Sequence, residues 1–361
     1  MLRSKVITSA SEFQRLEQDW RLLIEQMEQP EIFDCWEWSS LYLKHLCDES
    51  DRLFVVVVYD GDLCVGIAPM RLQERKFRKL PFVKARVLEP IDSVYRDYCR
   101  FYLHRGYHYG QLIDLLVDEM IAGSRDWDYI ELRNFNSRDP VTMLVRDKLA
   151  RKLDIDVELG DMTPYVDYRQ LSSGKTNKSR IGAIERKERK LVRECDCRIR
   201  VSQPFDEATW LKMVELHLGR WGETSVFRDA PLLAFWRELL TALDASDRLE
   251  FSFLEIEGRL AAAHMGFRNA RKIYYYTPAL NPEFADRGPG LILLMHLMKH
   301  YDELGAEEFD FLRGDESYKF YWADKAGTNH HIYAYRPGAA RWLMKLYVRN
   351  ARRKKTKERA G

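Results

Sequence analysis

Hydrophobic and polar positions along the chain fall into two periods. Helical spacing runs through "SEFQRLEQDWRLLIEQ", with Ser11 placed to cap it and Glu12 in its first turn. It recurs in "GQLIDLLVDEMIAG", which Gly123 should end, and in "DEATWLKMVELHLGRW", "APLLAFWRELLTALD" and "GPGLILLMHLMKHYDELGA". A basic helix is predicted from Lys175 to Arg200. Strand patterns occupy "LFVVVVYDGDLCVGIAPMRLQ", with a tight turn at Asp60-Gly61-Asp62, and "WDYIELRNF". They occur again in "LEFSFLEIEGRLAAAHMGFRNARKIYYYTPAL", with a turn at Glu257-Gly258. The order of strands and helices predicts an α/β fold with mixed rather than purely parallel sheets.

Part of this pattern is repeated. "DRLFVVVVYDGDLCVGIAPM" starts at Asp51 and "DRLEFSFLEIEGRLAAAHMGF" at Asp247. Each reads Asp-Arg-Leu, apolar strand, acidic-Gly turn, then a strand rich in small residues. Each is followed by an apolar helix and a strand ending in Leu-Arg, "YIELRN" and "FDFLRG". Two matched pairs in the same order predict a duplicated domain. The predicted division is 1–165, 166–338 and a basic amphipathic tail, 339–361.

Composition excludes several classes. The 361 residues are 46% apolar and 32% charged, as in an ordinary globular protein. A formal net charge of +2 gives no overall field directed at nucleic acid. Six scattered cysteines form no Cys-x-x-Cys pair, and Cys195-Asp-Cys197 is too tight for ordinary zinc spacing. No metal site is expected; His330 and His331 are adjacent and would face opposite sides of a strand. The N-terminus lacks a signal peptide's apolar core, which points to the cytoplasm. In the tail, Ala339, Trp342, Leu343, Leu346 and Tyr347 fall at helical spacing among Lys and Arg. That pattern suits either a helix docked on its own core or peripheral contact with the inner face of an anionic membrane.

Candidate chemistry concentrates in the second half. Gly288-Pro289-Gly290 opens a helix, where glycines admit close ligand approach and free N–H groups favour an anion. Pro289 donates nothing, so the donors would be Gly290, Leu291 and Ile292. "FDFLRGDESYKFYW" mixes core aromatics with charges. There Asp310 would face away from Phe309 and Phe311 into a cleft, a candidate general base. Arg313 suits an anionic acceptor or Asp310 itself, Lys319 a developing oxyanion, and Trp322 would pack beneath them. The alternative is a salt-bridged cluster that ties strand to helix. His217 and Trp221 share a helix face and are either core or the wall of an acceptor pocket. Tyr276, in a run of three tyrosines, is a further pocket candidate. The basic helix is either a solvated face or a holder of phosphate.

The passages "SRIGAIERKERKL", "LHLGRW", "YYYTPALNPEF", "GPGLILL" and "FDFLRGDESYKFYWA", in that order, resemble the GNAT-type N-acyltransferases of the cellulose-biosynthesis CelD group. That group is related to FemAB-like transferases. The resemblance implies tandem GNAT-like domains, of which the first is a degenerate copy lacking a Gly-x-Gly loop near "HRGYHYGQLI". It implies acyl-CoA, with acetyl-CoA the expected species, as a co-substrate bound at the Gly-rich turn rather than as a tightly held cofactor. The acceptor it implies is an amine, such as an amino sugar or envelope-polysaccharide precursor. Tyr318 and Lys319 resemble the aromatic–Lys pair of the FemAB-like enzymes. A tyrosine or lysine would protonate the leaving thiolate. Two further readings stand beside this one: a FemAB-like transferase using aminoacyl-tRNA, with the basic helix on RNA phosphates, and a non-catalytic scaffold for a polysaccharide synthase or membrane surface.

Overall fold

A computed structural model describes residues 1–77, 80–171, 178–338, 341–342 and 344–350. The chain forms two compact units. One comprises Met1–Leu43, Cys47–Gly160 and Thr328–Gly361, the other Lys44–Leu46 and Asp161–Gly327.

In the first unit the strands lie in the order Leu2–Ile7, Arg52–Asp60, Leu63–Phe77, Leu80–Pro90, Tyr129–Asn136 and Lys325–Tyr335. All neighbours are antiparallel except Leu80–Pro90 with Tyr129–Asn136, which are parallel. Helices Tyr109–Ala122 and Pro140–Lys152 cover one face over a core of Val56, Val58, Leu116, Val117, Ile130 and Leu132. The second unit repeats the scheme. Its order is Cys197–Arg200, Leu249–Ile256, Arg259–Asn269, Lys272–Leu280, Glu308–Asp310 and the 161–167 part of Asp154–Asp167. Again only one neighbouring pair is parallel, Lys272–Leu280 with Glu308–Asp310. Helix Pro289–Glu303 takes the place of Tyr109–Ala122 and packs Ile292, Met295, Leu297 and Met298 into the core.

The recurrence in the sequence is therefore a recurrence of structure. Both predicted hairpins close through two residues, with Asp60 opposite Leu63 and Ile256 opposite Arg259. Glu257 and Gly258 both have positive φ, 50° and 70°, which the strand twist of a two-residue hairpin requires. Each unit's sheet ends in a strand from the other half of the sequence: 328–335 completes the first, 161–167 the second.

Local expectations needed two corrections. Ser9, not Ser11, caps the first helix, its hydroxyl accepting from the Glu12 N–H at 3.3 Å. The basic helix is described over Lys178–Glu194 and stops there, because Cys197–Arg200 is a strand paired with Leu249–Ile256. Of the tail, Ala339, Leu343 and 351–361 lie outside the described residues.

Candidate active site

The second unit contains a wedge between two parallel strands. Lys272–Leu280 pairs with Glu308–Asp310 only through Lys272↔Glu308, Ile273↔Phe309 and Tyr274↔Asp310. Beyond that point the chains part. Lys272–Leu280 runs on beside Arg259–Asn269. The other chain stays with 161–167: Phe311 N–H donates to the Pro164 carbonyl at 3.0 Å, and Gly314 N–H to the Met162 carbonyl at 2.9 Å.

Asp310 stabilises this divergence. Leu312 has φ 60°, a left-handed conformation costly for a branched side chain. The Asp310 carboxylate accepts from the Leu312 N–H at 2.8 Å and pairs with Lys272 Nζ at 3.0 Å. The side chain is wholly buried. A short polar side chain holding its own backbone two residues on is ordinary turn chemistry, and here it fixes where the wedge opens.

Tyr318 joins the two arms. It lies on the short helix Ser317–Trp322, edge-on to Tyr275 on one arm (6.3 Å between centroids) and to Phe311 on the other (6.5 Å). Burial, with Tyr275 and Glu316 nearby, pushes its hydroxyl pKa far above the usual tyrosine value, while Arg220 opposes the shift. The phenol is therefore protonated at neutral pH and fitted to donate rather than accept.

Lys319 is placed otherwise than expected. Its Nζ donates to the Arg313 carbonyl at 2.6 Å and pairs with Glu316 at 3.0 Å. It is buried and ties the 313–319 turn together. A Cβ at Gly314 would stand 2.7 Å from that Nζ, and the φ of Gly314 is 129°, so only glycine fits there. Arg313 is half-buried, and Trp322 lies in the core.

Beside the wedge, the helix Pro289–Glu303 starts at Gly288, whose φ is 66°. Ile292 is not an available donor, because its N–H bonds to the Gly288 carbonyl at 3.3 Å. Gly290 and Leu291 occupy the first turn, where a helix supplies no acceptor for its own N–H groups. A cation stands over the turn: a Cβ on Gly288 would lie 3.8 Å from Lys187 Nζ. Lys187 is exposed on the basic helix, which is pinned along Pro289–Glu303 by Glu185–Lys299 and Glu188–His296, each 2.7 Å. Sequence reasoning weighed the basic helix as a phosphate holder without singling out Lys187, because the contact joins segments about a hundred residues apart.

On the opposite sheet face, His217 Nδ1 lies 2.9 Å from Ser225 Oγ and its ring is 6.2 Å from that of Trp221. Burial, helped by Arg220, pushes its pKa down to about 4, so it is neutral at physiological pH. Phe227 and Trp236 link it to Tyr276, with ring separations of 5.2, 6.3 and 5.4 Å along the chain of contacts. Tyr276 is half-exposed on the wedge strand, whereas Tyr274 and Tyr275 are buried. The three pocket candidates are thus joined through the buried rings of Phe227 and Trp236.

The first unit has the same wedge, filled. Its parallel pairing is confined to Val87↔Tyr129 and Leu88↔Ile130. The chain at 91–99 then enters, buried at all but Val94. Cys99 N–H donates to the Asn134 carbonyl at 2.8 Å, and Asn134 Nδ2 donates to the carbonyls of Ser93 and Arg96 at 3.1 and 2.8 Å. Protein occupies the space a ligand would need.

The sequence pattern of the acetyltransferase (GNAT) domain family matches residues 178–320. The match lies within the second unit, and the chain as a whole has a tandem GNAT-like fold. Solved structures similar across nearly the whole chain include FemX (12% identity, TM-score 0.58, 91% of this chain and 96% of that one). L-PGS from Bacillus licheniformis is similar at 14% identity and TM-score 0.54, over 92% and 95% of the two chains. The C-terminal domain of a putative lysylphosphatidylglycerol synthetase from Agrobacterium fabrum is similar at 9% identity and TM-score 0.54, over 93% and 95%. No curated protein matches the chain. Among the described residues there is no cluster of three or more metal-ligating side chains, and no helix long and apolar enough to cross a membrane.

Proposed function

We propose that the chain is an acyl-CoA-dependent N-acyltransferase of the CelD type, working through the wedge of its second unit. The observation that carries this reading is the position of Tyr318 across both arms of that wedge, in the unit whose helix turn at Gly288 lies under Lys187. The turn would take the CoA pyrophosphate on the N–H groups of Gly290 and Leu291, with Lys187 as counter-charge. The thioester would enter the wedge. Backbone N–H groups of Lys272–Leu280 beyond Tyr274 would polarise its carbonyl.

A neutral amine held near His217, Trp221 and Tyr276 attacks the carbonyl carbon. The C–S bond breaks, the thiolate takes the Tyr318 proton, and the proton lost by nitrogen returns to the tyrosinate through solvent. Amide and free CoA thiol result. Asp310 and Lys319 shape the wedge rather than exchange protons. An amino sugar or other envelope-polysaccharide precursor is the acceptor class this reading favours. Thiol release from acetyl-CoA, measured across a panel of amines and amino sugars, tests it. Release with no acceptor in the panel, or none at all, would contradict it.

One observation favours a second reading, transfer from aminoacyl-tRNA. Arg186, Lys187, Lys190 and Arg193 are exposed along one helix, and the fold is shared with FemX. Activity abolished by RNase would select that reading over the first.

A further inference from the structure

The C-terminal helix has a face that acyl transfer does not use. Residues 341–342 and 344–350 are helical. Val348, Met344 and Tyr347 pack against Ala85, Val87, Tyr129, Tyr333 and Tyr335 of the first unit. Two ion pairs fix the rotation: Lys345 with Asp154 at 2.8 Å and Arg349 with Asp156 at 3.0 Å. Held this way, the helix turns Trp342 and Leu346 outward, 63% and 55% exposed. They are four residues apart and so share a face. The Arg341 guanidinium lies 5.7 Å from the Trp342 ring centre. The sequence then continues "ARRKKTKERAG", six Lys and Arg against one Glu, in a chain whose whole formal charge is only +2.

The two halves of the pattern call for one partner. A docked helix has no structural need for an outward indole and isobutyl group beside such a charge run. RNA would satisfy the cations and leave the apolar pair in water. A second protein surface would have to combine an apolar patch with a dense acidic one. An anionic bilayer offers both: a headgroup boundary that suits Trp and Leu, and a negative surface that attracts nearby Lys and Arg. We propose that this face is a peripheral docking site for an anionic lipid bilayer, with Trp342 and Leu346 entering the interface and the basic run lying over the headgroups. The docked half of the helix anchors it to the folded unit, so binding would hold the whole protein at the surface.

Co-sedimentation of the full chain tests this, with vesicles of phosphatidylcholine alone and of phosphatidylcholine mixed with phosphatidylglycerol. The expected result is pelleting with the mixed vesicles only, weakened by salt. The double substitution Trp342→Ser and Leu346→Ser, at exposed positions, should weaken it about tenfold with an unchanged melting temperature. Replacing Arg352, Arg353, Lys354 and Lys355 by Gln should weaken it at least as much. Absence of pelleting with anionic vesicles overturns the proposal. So does pelleting indifferent to the Trp342/Leu346 pair, or a soluble RNA that binds the chain while anionic vesicles do not.

Discussion

The Tyr318 ring meets Tyr275 edge-on at 6.3 Å, next to the position where Tyr274↔Asp310 ends the parallel pairing. A phenol kept protonated by burial thus sits where the two strands part. Replacing Tyr318 by Phe keeps the ring contacts and removes only the donor. kcat should fall by about 10² to 10³ with little change in the KM for acetyl-CoA. A thiol able to leave as a stable anion needs no such proton. A nitrophenyl-type acyl thioester should therefore recover much of the loss, and equal loss with both donors would remove Tyr318 from the chemistry.

Lys319 is expected to act on stability. Its ammonium joins the Arg313 carbonyl to Glu316 within the turn that carries Tyr318. Lys319→Met removes both the hydrogen bond to that carbonyl and the Glu316 pair, a cost of about 1–3 kcal/mol. Thermal melting should drop accordingly, while kcat at a temperature where both proteins are folded should change less than about tenfold. A stable variant with activity reduced a hundredfold would return Lys319 to the role its sequence context suggested.

Asp34, in the first unit, should make stability fall as pH rises. Burial lifts its pKa to about 7, with Arg100 opposing the shift. The folded state thus holds a proton that the unfolded chain, with an ordinary carboxyl pKa near 3.8, releases earlier. Its contribution declines between those two values and is constant above about 7. Asp34→Asn removes the cost, so its gain in unfolding free energy over the parent should be larger at pH 8 than at pH 5, by an amount on the order of 1–3 kcal/mol. A difference independent of pH would contradict the assignment.

His264, in the second unit, has the opposite sign. It is fully buried, stacked on Tyr275 at 4.2 Å, and burial pushes its pKa down to about 3. Its folded pKa lies below the unfolded value, so stability is lost as pH falls from about 6.5 toward 3. His264→Gln should flatten that limb of the melting profile. An unchanged acid limb would place the titration elsewhere.

Much of the fold could be read from the chain because its two halves repeat, and each repeat pairs a two-residue turn with strands of matching pattern. Asp154–Asp167 was harder to see, because Gly160 and Pro164 within it are ordinarily turn signals. Gly160 is required by close packing, since a Cβ there would stand 2.7 Å from His331 Nε2. Within the candidate site, "FDFLRGDESYKFYW" covers the strand end at which the wedge opens. The roles within it depended on partners far along the chain, Lys272 for Asp310 and Tyr275 for Tyr318. Alternation placed Asp310 opposite its neighbours but could not reveal that the face it enters is closed. The filling of the first wedge by 91–99 left no periodic trace, because a buried loop bonded through Asn134 follows neither period.

Calorimetric titration of the protein with acetyl-CoA bears most directly on the central claim, that one wedge of two holds an acyl-CoA beneath Lys187. The account predicts a single site per chain, since the first unit's wedge is filled. It predicts affinity lowered about tenfold by Lys187→Glu, an exposed change that places a like charge beside the pyrophosphate without disturbing the fold. Two sites per chain, affinity indifferent to Lys187→Glu, or no heat of binding from a folded protein would contradict it.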